Sequence, residues 1–252
     1  MSTAVETAFP PLPDGKGNYI GSVLPIYGCA THCELWPDIC WLCGKSGAGL
    51  RAKLGRHCPD CLSMKPHVHW KKINGIHRLR KAHYFSGHMG DIADLSKTDI
   101  RTLIGWMECN RQHIFAPFTH RPMEFYAKYS KWSKNVWACG TFTSGEIAFP
   151  PELECGVRVA YVEPVMGQLY LQQYDPGYCD VGWLVIGLLN HASYTKLGIS
   201  LEMLASWIKP LMADARALGI PTYMKSHRLW ERLGIALVQQ WPQSPTPPET
   251  GK

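Results

Sequence analysis

Long hydrophobic runs are missing from this chain. The longest uninterrupted apolar stretch, Val181 to Leu189, falls far short of the roughly 20 residues needed to span a bilayer, so no membrane partner is expected. Met1 to Lys16 lack both a basic leading region and an apolar segment, so no secretory signal is expected and a cytoplasmic location is. Charge is also sparse. Only 18% of the 252 residues are charged, and 26 Lys+Arg against 20 Asp+Glu leave +6, a balance that permits a polyanionic partner without requiring one. No internal repeat is visible. With 46% hydrophobic residues the chain can bury a full core, which excludes global disorder.

Cysteine, by contrast, is plentiful. There are ten, and in a reducing compartment that many points to a metal or cluster rather than to disulfides. Six of them lie between Cys29 and Cys61. Cys109, Cys139, Cys155 and Cys179 are scattered, and as free thiols they read as small buried hydrophobes.

Residues 1–18 and 242–252, rich in proline and glycine, read as disordered tails, leaving a single α/β domain over 19–241. Within it, residues 28–75 carry Cys, Gly and His with little periodicity, as in a loop segment organised by a ligand. Beyond residue 82 short apolar runs alternate with amphipathic stretches. Strands are expected at His83–Ser86, His113–Phe118, Asn135–Cys139, Val157–Val162, Trp183–Ile186 and Pro221–Met224. Ser96 with Asp99 signals the start of one helix. Another runs from Ser200 to Gly219, with Pro210 expected to kink or split it. Such alternation implies a mostly parallel sheet, open or curled into a partial barrel, with reactive residues at the carboxyl ends of the strands.

Two metal chemistries fit the cysteines. Cys40-x2-Cys43, a 14-residue gap and Cys58-x2-Cys61 match the two knuckles of a tetrahedral zinc ribbon. Alternatively, Cys33-x6-Cys40-x2-Cys43 places three thiolates on one loop, which suits a 4Fe–4S cluster with one iron open to a small molecule. His57 beside Cys58 suits a zinc site, whereas His67, His69 and His77 read as surface histidines. Lys71, Lys72, Arg78, Arg80 and Lys81, preceded by Trp70, form the best basic patch.

An ordered series of motifs then carries a resemblance. After Cys33-x6-Cys40-x2-Cys43 come Tyr84-Phe85-Ser86-Gly87-His88-Met89-Gly90-Asp91, Phe118-Thr119-His120-Arg121-Pro122 and Asn135-Val136-Trp137-Ala138-Cys139-Gly140. Val162-Glu163-Pro164 and Gly219-Ile220-Pro221-Thr222-Tyr223-Met224-Lys225 complete it. The series, over roughly residues 28–230, resembles a phage-encoded, radical-SAM-like family of largely unassigned function. Where that family has a second Gly and a Glu after the strand ending at Gly187, this chain has Leu188 and Leu189.

The resemblance implies a partial (βα) barrel of radical SAM type with a Cys-rich N-terminal loop. It implies that Cys33, Cys40 and Cys43 ligate three irons of a 4Fe–4S cluster, and that the fourth binds S-adenosyl-L-methionine (SAM). An electron donor would reduce the sulfonium to release a 5′-deoxyadenosyl radical for hydrogen abstraction. Ser86, Asp91 and Glu163 would hold ribose or amino groups of SAM, and Lys225 a carboxylate or phosphate. The implied substrate is a nucleotide or DNA base in the infected host's cytoplasm, as in an isomerisation during thymine hypermodification. A zinc ion remains a further expectation, and a non-catalytic zinc-ribbon nucleic-acid-binding protein is the alternative.

Overall fold

The computed structural model describes residues 20–23, 26–27, 58–63, 65–73, 76, 83–86, 90–172, 180–225 and 227–242. The chain divides into two compact units, Met1–Phe118 and Thr119–Lys252. Cys29, Cys33, Cys40, Cys43 and His57 lie outside the described residues, as do Arg78, Arg80, Lys81, Cys179 and almost all of both expected tails.

In the first unit, strands β1 (Ile20–Val23), β4 (His83–Ser86) and β5 (Ile114–Ala116) form a parallel sheet in the order β1-β4-β5. A second, antiparallel ladder pairs β2 (Ile26–Tyr27) with β3 (His67–Val68). The helix Lys97–Cys109 starts where the sequence signals it: the Ser96 hydroxyl oxygen accepts from the Asp99 amide at 3.1 Å. Ile100, Leu103 and Met107 form its buried stripe, the face required of an amphipathic helix.

The second unit is built on a parallel five-stranded sheet, the mixed α/β architecture expected. Its order is β12 (Thr222–Met224), β11 (Trp183–Ile186), β9 (Val157–Val162), β7 (Trp137–Phe142) and β6 (Phe118–Thr119). Trp183, Leu184, Val185 and Ile186 are all buried, because a parallel sheet is covered on both faces and its strands read as continuous apolar runs. Trp137 and Trp183 are both fully buried and meet edge to face, 5.8 Å between rings. Two shorter strands, β8 (Gly145–Ile147) and β10 (Leu169–Leu171), pair with each other in parallel.

The helix Leu201–Ala217 begins at Ser200, whose side-chain oxygen accepts from the Met203 amide at 3.2 Å. Gly219 follows it at φ +67°, a left-handed geometry suited to glycine. Pro210 does not split it: the helix is continuous across that position. Leu204, Ile208, Leu211 and Ala215 are completely buried on both sides of the proline. Burying each of the three larger side chains contributes about 1.5–3 kcal/mol, enough to outweigh the ~3 kcal/mol that an interior proline costs.

Candidate functional site

The register of the second unit places three residues in one row. Val162 pairs with Ile186 and Ile186 with Met224, so Glu163, Gly187 and Lys225 stand one residue beyond the carboxyl ends of adjacent strands. Two backbone bonds prolong the ladder into that row, Gly187 N–H to the Val162 carbonyl (2.9 Å) and Lys225 N–H to the Ile186 carbonyl (2.9 Å).

Glu163 is the hub. Its Oε2 accepts from Lys225 Nζ at 2.7 Å and from the Tyr161 hydroxyl at 2.5 Å. The same ammonium lies 5.2 Å from the centroid of the Tyr161 ring, within reach of a cation–π attraction. The Glu163 and Lys225 side chains are 27% and 25% exposed, so a ligand reaching the strand ends can touch both. Tyr161 itself is buried. Burial first, and then the adjacent Glu163 carboxylate, push its phenol well above the usual tyrosine range, which keeps it a proton donor to Glu163.

Gly187 is required by this arrangement. A Cβ there would stand 2.4 Å from Glu163 Cδ and 2.6 Å from Oε1, so only a residue without one lets the carboxylate lie along the end of β11. On the far side the indole N–H of Trp230 donates to the Lys225 carbonyl at 2.7 Å, fixing the backbone that carries the ammonium. Tyr194, on the helix His191–Lys196, accepts from the Leu189 amide through its hydroxyl at 3.3 Å. Burial pushes its phenol up to about 12, with the Glu163 charge adding and hydrogen bonds with Leu189 and Val165 opposing.

Of the residues singled out from sequence, the structure therefore joins Glu163 and Lys225 directly. Ser86 ends β4 in the first unit. Asp91 lies in that unit too, buried, and its Oδ1 accepts from the Ala93 amide at 2.8 Å as the cap of a short 3-10 turn over Ile92–Asp94. Tyr161 and Gly187 were not anticipated. Tyr161 lies within the expected strand Val157–Val162, and Gly187 directly follows the expected strand Trp183–Ile186.

A second constellation lies in the first unit. Cys58, His67 and His69 bring their ligating atoms within 4.8 Å of one another. Cys58 precedes the single helical turn Pro59–Leu62, which contains Cys61. The sequence reading pairs Cys58 with Cys61 and reads both histidines as surface residues; the structure sets Cys58 Sγ 3.4 Å from His67 Nε2 and leaves both histidines half-buried. Comparisons with protein-family models, curated proteins and solved structures return no match.

Proposed function

We propose that the chain is a radical SAM enzyme that works at the carboxyl ends of its parallel strands, with a 4Fe–4S cluster held by Cys33, Cys40 and Cys43. The observation that carries this reading is the Tyr161–Glu163–Lys225 network, a half-buried pair of opposite charges in register across adjacent strand ends. Strand order supports it as well. Among the described strands, neighbours in each parallel sheet follow chain order, as in the wall of a partial (βα) barrel.

The donor set fits the group. Cys33, Cys40 and Cys43 would hold three irons of a cubane and leave the fourth open to an exchangeable ligand such as SAM. When bound, the cluster would supply one-electron reduction of the sulfonium, and the chemistry this would support is hydrogen-atom abstraction from the substrate. The protein's own residues bind and orient. Glu163 accepts from ribose hydroxyls or an amino group, and Lys225 meets a carboxylate or phosphate as a point charge. Tyr161 acts as a positioning residue that fixes the Glu163 carboxylate. Ser86 and Asp91 lie in the first unit, where Asp91 commits one oxygen to its cap. The substrate class that goes with this reading is a nucleotide or DNA base, and the reaction also needs an electron donor.

Anaerobic purification of the full chain tests the proposal. A brown protein with about four irons and four sulfides per chain is expected, and Cys33→Ala should abolish both. Glu163→Gln should weaken SAM binding while leaving the iron in place. Colourless protein that holds zinc and no iron would overturn the reading and favour the non-catalytic zinc ribbon.

A further inference from the structure

We propose that Cys58, His67 and His69 bind a structural zinc ion, at a site separate from the thiolates assigned to iron. Cys58 Sγ and His67 Nε2 are 3.4 Å apart. Two ligands of one tetrahedral zinc, with Zn–S about 2.3 Å and Zn–N about 2.0–2.1 Å, stand about 3.5 Å apart. The observed spacing is that of a ligand pair.

The orientation of His67 is also set. Its Nδ1–H donates to the Lys65 carbonyl at 2.6 Å. In the neutral ring this leaves the Nε2 lone pair facing Cys58, and a carbonyl on the second nitrogen is the usual support for a metal-bound imidazole. His69 follows two residues later, just past the end of β3, and the centroids of the two rings stand 4.7 Å apart. All three residues are half-buried.

The backbone between the ligands is folded to bring them together. Ser63 N–H donates to the Pro59 carbonyl and Lys65 N–H to the Asp60 carbonyl, each at 3.0 Å, turning the chain from Cys58 back to β3. One thiolate with two imidazoles is a donor set suited to zinc, and Cys61, three residues after Cys58, has knuckle spacing for the fourth position.

A staple is needed here. The β2–β3 ladder is only two residues long on each strand, and so small a ladder is marginal by itself in water. β2 runs directly into Gly28 and Cys29 in the sequence, so the ion would anchor the point from which the chain continues to Cys33, Cys40 and Cys43.

The experiment is zinc-edge X-ray absorption on the zinc-loaded full chain, with zinc content measured in parallel on variants. A mixed sulfur and imidazole-nitrogen shell is expected. His67→Ala together with His69→Ala should lower zinc affinity by at least about 10–100-fold, the range seen even for outer-shell changes, while a Cys33→Ser, Cys40→Ser, Cys43→Ser variant keeps the zinc. An all-sulfur shell in the wild type would overturn the site, as would zinc retained by the double-histidine variant. The wild-type spectrum decides the question even if a variant fails to fold. Iron content is read separately, so loss of this site and failure of the iron reading are distinguishable.

Discussion

At Gly187 a single missing methyl group decides whether the strand-end network can exist. The Glu163 carboxylate cannot simply swing away from a new Cβ, because Lys225 and Tyr161 hold it from the other side. Gly187→Ala should therefore cost about 1–3 kcal/mol, the usual penalty for overpacking, and should weaken SAM binding in the manner of Glu163→Gln. Urea unfolding and SAM titration on the same protein check this. Unchanged values in both would mean that the close approach at Gly187 does not constrain Glu163. Nearby, Tyr194 makes stability depend on pH in the alkaline range. Its phenol ionises near 10 in the unfolded chain and at about 12 in the fold. The folded state thus holds its proton more tightly, so the contribution is complete below pH 10 and is lost as pH rises through 12. That difference amounts to on the order of 2–3 kcal/mol. Tyr194→Phe should flatten the fall in urea midpoint between pH 10 and pH 12, leaving the part due to Tyr161.

Elements differ in how openly the sequence announces them, and the differences have physical causes. Trp183–Ile186, and Val157–Val162 apart from Arg158, are legible because strands buried on both faces are apolar almost throughout. The helix ends at Ser96, Ser200 and Gly219 are legible because a side-chain cap or a left-handed turn demands particular residues. The three-residue strands β8 and β10 are not, since they are too short to show a period. The helix Pro122–Lys128 hides as well: its proline at the first turn is also the last residue of the Phe118–Pro122 motif, which draws the eye to the preceding strand. Pro210 misleads because local propensity argues for a break while the buried stripe on either side holds the helix together. The sites follow the same logic. Glu163 and Lys225 can be found as charged residues closing apolar strands, but Tyr161 and Gly187 acquire their roles only once register aligns strands distant in sequence. At the cysteines, the alternation His67-x-His69 was the available signal, and its meaning depends on a backbone turn that composition does not reveal.

The two units of the molecule draw stability from different sources, and this predicts how each responds to metal. The second unit has an aromatic core in which Trp183 packs against Trp137, Tyr223 and Trp241, apolar burial that drives folding without an ion. Around β3 in the first unit, buried apolar side chains are few among the described residues, chiefly Ile26, Val68, Ile73 and Ile76. A bound ion there adds stability by mass action, about 2.7 kcal/mol when free zinc exceeds its dissociation constant a hundredfold. Local opening is suppressed by the same factor. Hydrogen exchange on the full chain, zinc-loaded against zinc-stripped, should show amides across 58–73 exchanging about a hundredfold faster after stripping, while Trp137–Phe142 and Val157–Val162 keep their protection. An equal loss of protection in both regions would mean that the ion supports the whole chain. No change in either would mean that the 58–73 segment holds its shape by packing alone.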